Sequence, residues 1–581
     1  MTGQWQPTNN LGIVAVHAAL MRKRSAGEVV MWSPPRIRDA AGQPLADPQR
    51  PGQWQWYKFK LNDVESRALD VGTGNLADRF LPVLPHLPHT PERSRRDNIF
   101  CAGAAHLPDG RLFVVGGHET PPYSAPDNGG LTDNAHHMYL YDPGTGSWEK
   151  ILSRLSPIRW YPTVTALPDG RVLITSGTRK VLEGNENDHT ATGYWRQINN
   201  NYLIFDPATK KILTPAEGTL IDYDAIGETT AGKPERLATY PSVFVLPTPD
   251  AHGTVVALAE TNRAWLYHYQ PGAASPLQRA NRFYPMNKPG SRSYPTYGSM
   301  VLLPLTPGES RMRILAVGGQ GGAHPDHRSL NADQPATDTA EIFEVDTANP
   351  LNVAKGWRAP SGGFTMGSAR VLADATLLAD GSVLVSGGSK TGWGDQNYGP
   401  VYEAELFDPD TETFRPAGRA STDRRYHSTA LLQLDGTLLK AGSTGGFGNV
   451  AEHEHRAHHK TELDRTRTTP WMSVHTDGER YFPPYLWRGP RPSISSISTL
   501  NTDTPDATQD LGTTLRYGRG VTVQVIGPSL TTPPRMAIIR LGSTTHGNDM
   551  DQRYVWLSVT SHKQTTTGWT LSITPPANPA A

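Results

Sequence analysis

Four places in the chain carry side chains that can bind a metal ion or transfer a proton. Cys101 is the single cysteine among 581 residues, so no disulfide can form within the chain. Tyr161 lies near the equivalent position of the next repeat. Tyr426 and His427 are adjacent, and His546 lies in a Thr-Thr-His-Gly segment. Packing of a β-repeat does not require these groups, although each taken singly also fits a structural role, since a lone cysteine usually packs as a small buried hydrophobe.

These residues are positioned by a unit that recurs along the chain. In each copy an apolar run leads to Asp-Gly or a near variant, and a second apolar run ends in small residues, as in 98–117. Asp-Gly supplies the positive-φ positions of a tight hairpin, and glycine at a strand end lets backbones approach closely. Seven such units begin near Leu11, Asn98, Arg159, Thr239, Arg292, Ser368 and Arg424.

The units predict the architecture. Most of them close with a third strand and a turn, as at 139–143 and 202–207. Three or four antiparallel strands per unit, repeated seven times, predict a seven-bladed β-propeller of the kelch type over residues 1–488. After a Gly-Pro-Arg-Pro linker, short alternating strands predict an immunoglobulin-like β-sandwich over 489–581. The expected fold class is therefore all-β.

Composition narrows the possible partners. Lys+Arg and Asp+Glu balance at 55 each, so the chain offers no basic footprint for nucleic acid or an anionic membrane. No apolar run approaches the ~20 residues needed to cross a bilayer. The N-terminus lacks the basic region and apolar core of a secretory signal. Because a single cysteine fits a reducing compartment and also a secreted protein without disulfides, localisation stays open. We expect a monomer.

A histidine-rich run follows the seventh unit. Residues 451–459 contain four histidines, a density that suggests a metal site. Because nothing in the pattern holds these side chains in place relative to one another, we interpret the run as a solvated loop.

Taken together, the motifs resemble those of the copper-radical oxidases, the family of galactose oxidase and glyoxal oxidase. That family combines a seven-bladed kelch propeller with a C-terminal early-set sandwich. The resemblance covers nearly the whole chain. Its segments, in order, are NIFC at 98–101, RWY at 159–161, YHS at 426–428, PPYL at 483–486 leading to GPRP at 489–492, and TTH at 544–546 followed by DQR at 551–553.

The resemblance implies one copper ion. Tyr161, His427 and His546 would be its equatorial ligands and Tyr426 an axial ligand, and imidazole with anionic oxygen suits Cu(II). Cys101 would be joined to the Tyr161 ring by a self-formed thioether, giving a protein-derived radical cofactor. Tyr426 would be the base that takes the alcohol proton. The activity implied is oxidation of a small primary alcohol or aldehyde by dioxygen, which gives an aldehyde or carboxylic acid and hydrogen peroxide.

The chain departs from galactose oxidase around the crosslinked ring. That enzyme stacks a tryptophan there, supplied from near the end of the same hairpin, where this chain has Ser-Gly-Thr-Arg-Lys at 176–180. The sequence does not choose among the aromatic residues that could replace it, which are Trp160, Trp195, Tyr294 and Trp393. The repeat at 368–375 resembles the glyoxal oxidase side of the family.

Two other functions fit part of the pattern. A non-catalytic kelch module for interaction or matrix binding would explain the propeller, but it would leave the five reactive residues as a coincidence. A metal-dependent hydrolase on the same scaffold is disfavoured because the starts of the repeats lack a cluster of Asp and Glu.

Overall fold

A computed structural model gives the architecture of the chain. It describes residues 2–8, 10–23, 26–33, 66–79, 99–117, 137–153, 155–178, 198–220, 229–230, 233–234, 239–248, 254–260, 262–288, 290–293, 297–309, 311–321, 334–346, 356–394, 396–444, 475–499, 515–527 and 530–577. The histidine-rich run 451–459 and the two aromatic candidates Trp195 and Tyr294 lie outside these ranges.

Within the described residues the chain forms forty β-strands and one 3-10 helix, Pro484–Trp487. In chain order, the strands up to the fourth repeat are β1 (Gln4–Pro7), β2 (His17–Lys23), β3 (Ala26–Trp32), β4 (Ser66–Asp70), β5 (Leu76–Asp78), β6 (Gly103–His106), β7 (Leu112–Val115), β8 (Met138–Asp142), β9 (Ser147–Ile151), β10 (Thr163–Ala166), β11 (Val172–Thr175), β12 (Asn201–Asp206), β13 (Lys211–Thr219), β14 (Thr229–Thr230), β15 (Lys233–Pro234), β16 (Ser242–Leu246), β17 (Thr254–Glu260), β18 (Arg263–Tyr269) and β19 (Leu277–Pro285). The remaining strands are β20 (Ser299–Leu302), β21 (Arg311–Val317), β22 (Ala340–Asp346), β23 (Gly356–Arg358), β24 (Asp374–Leu377), β25 (Val383–Ser386), β26 (Ser389–Trp393), β27 (Gln396–Pro400), β28 (Glu403–Asp408), β29 (Thr413–Arg419), β30 (Ser428–Leu432), β31 (Leu438–Gly442), β32 (Gly478–Phe482), β33 (Ser493–Thr499), β34 (Val521–Ile526), β35 (Ala537–Arg540), β36 (Ser543–Thr545), β37 (Asn548–Asp549), β38 (Arg553–Trp556), β39 (Ser558–Gln564) and β40 (Gly568–Thr574). The prediction of an all-β chain is confirmed, and among these residues no helix is long and apolar enough to cross a bilayer.

Seven sheets of the described residues share one antiparallel pattern and form a β-propeller. They are β2–β5, β6–β9, β10–β13, β16–β19, β20–β23, β24-β25-β28-β29 and β30-β31-β32-β1. First strands contact one another in five of the seven neighbouring pairs, and β36 contacts both β2 and β6, so these strands surround a common centre. The last sheet is completed by β1 from the other end of the chain, with Trp5 opposite Tyr481. This pairing joins the two ends of the propeller.

In four sheets a buried arginine stands before the first strand and contacts the residues at which second strands end. It donates to the carbonyl of the residue that ends or follows the second strand, in the pairs Arg159–Ser176, Arg292–Gly318, Arg370–Gly387 and Arg424–Gly442. A Cβ on Gly387 would lie only 2.5 Å from the carbonyl oxygen of Arg424, so a larger residue does not fit there. In three of these sheets a buried glutamate of the third strand faces the arginine, as Glu405 faces Arg370 at 2.7 Å. A buried charge requires such a partner.

The C-terminal strands form a sandwich. One sheet has the order β33-β34-β40-β39, and β35 pairs with β38. Alternate residues of β34 are buried and pack against β40, for example Val523 against Leu571, as a period of two predicts. The predicted β-sandwich is confirmed, whereas its boundary at residue 489 stays a prediction.

One hairpin of the C-terminal part, β36–β37, leaves the sandwich and joins the propeller. β36 pairs with β2, with Thr545 opposite His17, and the hairpin contacts the first strands of four further sheets. Just beyond it, Asp551 accepts hydrogen bonds at 2.7 Å from the amide and the Nδ1 of His106. The other ring nitrogen of His106 lies 2.9 Å from the carbonyl oxygen of Leu20. The hairpin is therefore held at the centre of the ring.

Candidate metal centre

Several first strands of the propeller begin after a residue with left-handed backbone. Cys101, Tyr161, Tyr240, Leu372 and His427 have φ between 46° and 64°, and each stands one or two residues before its strand. This conformation costs a residue with a Cβ about 1–2 kcal/mol, and such strain collects at functional sites. Because it interrupts the alternation of a strand, adjacent side chains need not face opposite ways.

Backbone hydrogen bonds connect these residues around the centre. The amide of Tyr240 donates to the carbonyl of Tyr161 at 3.0 Å, and the amide of Tyr161 donates to the carbonyl of Cys101 at 3.2 Å. The amide of Cys101 donates instead to a side chain, Nε2 of His17, at 2.9 Å. Cys101 and Tyr161, whose side chains are predicted to act together, therefore lie on backbone segments that are joined by a hydrogen bond.

His546 occupies the tip of the hairpin β36–β37. His546 and Gly547 have φ of 50° and 70°, the positive pair that a two-residue type I′ turn requires. A Cβ on Gly547 would lie 2.5 Å from the carbonyl oxygen of Ala373, so glycine is needed there. The hydroxyl of Ser299 donates to the carbonyl of Gly547 at 2.6 Å and holds the tip against β20.

The structure brings the five predicted residues into one cluster. Cys101 Sγ lies 3.8 Å from Nε2 of His546, and the thiol and the ligand nitrogens of His427 and His546 lie within 4.8 Å of one another. The hydroxyl oxygens of Tyr161 and Tyr426 are 3.3 Å apart. All five side chains belong to residues no more than 2% exposed. The cluster is shielded from bulk water, which strengthens polar interactions inside it.

Tyr426 and His427 both face the cluster although they are neighbours in the chain. Their rings stack at 3.7 Å, and the His427 ring lies edge-on to His546 at 4.6 Å. The left-handed backbone at His427, with φ of 62°, is the irregular strand end that such an arrangement requires.

Threonine hydroxyls orient both imidazoles in the same way. Nδ1 of His546 bonds the hydroxyl of Thr545 at 2.6 Å, and Nδ1 of His427 bonds the hydroxyl of Thr444. A bond at Nδ1 leaves Nε2 as the nitrogen that can bind a metal, and partners of this kind fix the ring orientation of metal-binding histidines. Two imidazoles and two phenols are the N and O donors that suit Cu(II). The residues present therefore fit a copper ion.

Two further aromatic rings pack on Tyr161. Trp160 stacks on it with ring centres 4.5 Å apart and an angle of 25°. Tyr240 meets it edge-on at 5.0 Å and donates its hydroxyl to the carbonyl of Ala102 at 2.9 Å. Trp160 was one of four candidates for the stacking position, whereas the contact of Tyr240 was not predicted.

Sequence reasoning also missed His17. Its ring is 1% exposed, stacks on Trp32 at 4.6 Å and lies 6.0 Å from the ring of His546. Burial, together with the nearby His546, holds the pKa of His17 well below its ordinary value. The available signal was a polar residue inside the apolar run 13–21 of the first repeat.

Fold and site together define a class of protein. It is a β-propeller with a C-terminal β-sandwich, in which the hairpin β36–β37 that carries His546 extends from the sandwich into the centre of the propeller. Residues 214–469 match the glyoxal oxidase N-terminus, and residues 504–581 match the galactose oxidase-like early-set domain. Over these two regions the chain is similar to the galactose oxidase and glyoxal oxidase family.

Individual relatives are distant. The galactose oxidase of Gibberella zeae is 23% identical over 96% of this chain, and the chain spans 65% of the length of that relative. The aldehyde oxidase GLOX1 of Arabidopsis thaliana is 22% identical over 97% of this chain and 77% of its own length. A fungal alcohol oxidase of the AA5 family, solved in complex with copper, has the same fold, with a TM-score of 0.62 and 20% identity over 100% of this chain and 94% of that one.

Proposed function

We propose that the protein is a copper-radical oxidase that oxidises a small primary alcohol or aldehyde with dioxygen to an aldehyde or carboxylic acid and hydrogen peroxide. The observation that carries the proposal is the convergence of a thiol, two phenols and two imidazoles from four distant parts of the chain on one buried point. In this proposal residues 1–488 form the propeller and residues 489–581 the early-set domain.

The ligands follow from the donors in the cluster. Tyr161, Tyr426, His427 and His546 would hold one copper ion, and the threonine bonds at both Nδ1 atoms present Nε2 to it. When bound, copper would accept one of the two electrons that leave the substrate, the tyrosyl radical would accept the other, and dioxygen would take both electrons to become hydrogen peroxide. Relatives named as galactose, aldehyde and alcohol oxidases support this chemistry.

Cys101 and Tyr161 form the organic half of the cofactor. A carbon–sulfur bond between Sγ and the Tyr161 ring replaces one S–H and one ring C–H bond, and the two hydrogen atoms pass to dioxygen as hydrogen peroxide. Sulfur on the ring makes the phenol easier to oxidise. Trp160, stacked at 4.5 Å, covers one face of this ring and protects the radical from solvent.

Proton transfer belongs to Tyr426. Its oxygen lies 3.3 Å from that of Tyr161, so a substrate hydroxyl bound beside this pair is within hydrogen-bond reach of both oxygens. Tyr426 takes the hydroxyl proton, and the oxidised Tyr161 takes a hydrogen atom from the adjacent carbon.

The test uses the copper-free full-length protein, loaded with copper under air. We expect the intact mass to fall by two hydrogen atoms and the denatured protein to run with altered mobility. C101S and Y161F should lose both changes. Y267F is a matched control, because Tyr267 is a buried phenol of β18 that bonds the carbonyl of Leu220 at 2.7 Å, outside the cluster. It should behave as wild type.

Peroxide release from a panel of primary alcohols and aldehydes would then identify the substrate. A wild-type protein that binds copper, keeps its mass and releases no peroxide with any compound would contradict the proposal. That result would favour a non-catalytic kelch module.

A further inference from the structure

The amide of Cys101 is held differently from the corresponding amides of the next two repeats. Tyr161 and Tyr240 each donate to the carbonyl of the left-handed residue one repeat earlier. The amide of Cys101 donates instead to Nε2 of His17, from β2 of the preceding sheet, at 2.9 Å. His17 is thus the last acceptor in a series of hydrogen bonds that fixes the position of Cys101 at the centre of the propeller.

A second contact from the same sheet holds the other side of this turn. Nε1 of Trp32, in β3, donates to the carbonyl of Ile99 at 3.0 Å, and His17 stacks on Trp32 with an angle of only 11°. His17 and Trp32 are also directly opposite in the pairing of β2 with β3. The two rings form one rigid platform that bonds the segment on both sides of Phe100.

The bond defines the state of the imidazole. A backbone amide can only donate, so Nε2 of His17 is the acceptor nitrogen and the ring is neutral, with its proton on Nδ1. Burial of the ring favours this same uncharged form.

The platform matters because Cys101 has an unfavourable backbone. Its φ of 64° persists in a residue with a Cβ only where the surroundings determine it. Without the bond to His17, the backbone at Cys101 can relax toward an ordinary negative φ. The Cα–Cβ bond then points in another direction, and Sγ moves with it.

We propose that His17 is a positioning residue for the formation of the thioether, holding Cys101 in the left-handed conformation that presents Sγ to the Tyr161 ring. This inference rests on the proposed function. His17 acts through the backbone of Cys101 and takes no part in copper binding.

The experiment compares H17L, H17Q and V30A with wild type in the copper-dependent mass loss under air. Leucine removes the acceptor, whereas the side-chain oxygen of glutamine can accept near the position of Nε2. Val30 is buried in β3 opposite Ala19, so V30A destabilises the same sheet without touching the bond. Thermal unfolding, copper titration and hydrogen exchange of the peptide containing Cys101 are measured on each variant.

We expect H17L to form the thioether about tenfold more slowly, the cost of one strained residue and one lost bond. Exchange at the Cys101 amide should be faster, while the copper affinity is unchanged. H17Q should recover most of the rate, and V30A should crosslink as wild type despite a lower unfolding temperature.

Two results would overturn this inference but not the proposed function. One is that H17L forms the thioether at the same rate as the wild type. The other is that thioether formation slows in H17L, H17Q and V30A only in proportion to their loss of stability. A wild type that never loses the two hydrogen atoms would instead overturn the proposed function, and the role of His17 with it.

Discussion

At the scale of single residues, the cluster depends on backbone conformations that most side chains avoid. Cys101, Tyr161, His427 and His546 all have positive φ. At about 1–2 kcal/mol each, this is a large cost for a protein whose net stability is on the order of 5–15 kcal/mol. The hydrogen bonds between repeats and the insertion of the hairpin provide the compensating interactions. The strain turns the reactive side chains away from the strands and into the centre.

Trp160 allows a prediction at this scale. Replacing it with leucine keeps an apolar side chain but removes the ring that stacks on Tyr161 at 4.5 Å. A stacked aromatic pair contributes about 0.5–1.5 kcal/mol, so we expect the oxidised radical form to decay about two- to tenfold faster. The decay is followed by visible absorption after chemical oxidation of the copper-loaded protein. Unchanged decay in W160L would assign the protecting role to another aromatic residue.

At the scale of elements, neighbouring sheets are joined beside the cluster by a buried ion pair. Lys440 of β31 bonds the carboxylate of Asp374, which begins β24, and the hydroxyl of Ser428 at 3.1 Å. Ser428 directly follows His427. Burial lowers the pKa of Lys440 and raises that of Asp374. Each charge is therefore tolerated because of the other.

K440M should destabilise the protein strongly, since it leaves the Asp374 carboxylate buried without its cation. Loss of one partner of a buried pair costs about 3–5 kcal/mol. We expect the double variant D374L/K440M to lose clearly less than the two single variants combined. Denaturant unfolding measures both effects, and K211M, at an exposed lysine of β13, serves as the control. Additive losses would show that the pair is not coupled.

At the scale of the whole molecule, the junction between sandwich and propeller contains two neighbouring acidic groups, the buried Asp551 and the half-buried Asp549. Oδ1 of Asp549, in β37, accepts from the amides of Ser543, Asp551 and Gln552 at 2.9–3.1 Å. Burial, the largest cause, and the nearby Asp551 raise the pKa of Asp549 from 3.8 to about 6. The folded protein thus binds this proton more tightly than the unfolded chain does.

The sign of the pH effect follows from that shift. Above about pH 6 the folded state carries an unfavourable charge at Asp549, and the penalty disappears as the pH falls toward 3.8. D549N keeps the accepting Oδ1 without the charge, so it should stabilise the protein at pH 7, by up to about 3 kcal/mol, and have little effect at pH 4. Thermal unfolding at both pH values tests this, with D410N at an exposed turn as control. A gain of equal size at pH 4 would contradict the assignment.

Much of the fold could be predicted from the sequence because its signals are local. The Asp-Gly hairpins, the small residues that end second strands and the alternation in β34 each arise from a few neighbouring residues. His17 could not be predicted in this way, because its partner, the Cys101 amide, is 84 positions distant. Tyr240 and Thr444 could not be predicted from the sequence either, because their residue types are ordinary for a buried strand end.

By itself, the sequence determined the repeat and the all-β class, which depend on residue types and short spacings, and it supplied the five candidate site residues from their residue types. Only the tertiary structure decided that the histidine hairpin pairs with β2, that Trp160 lies on Tyr161 and that His17 holds Cys101. The physical reason is that a centre built from the first strands of several sheets forms only when the ring closes. Contacts across that centre depend on the path of the whole backbone, which leaves no local pattern.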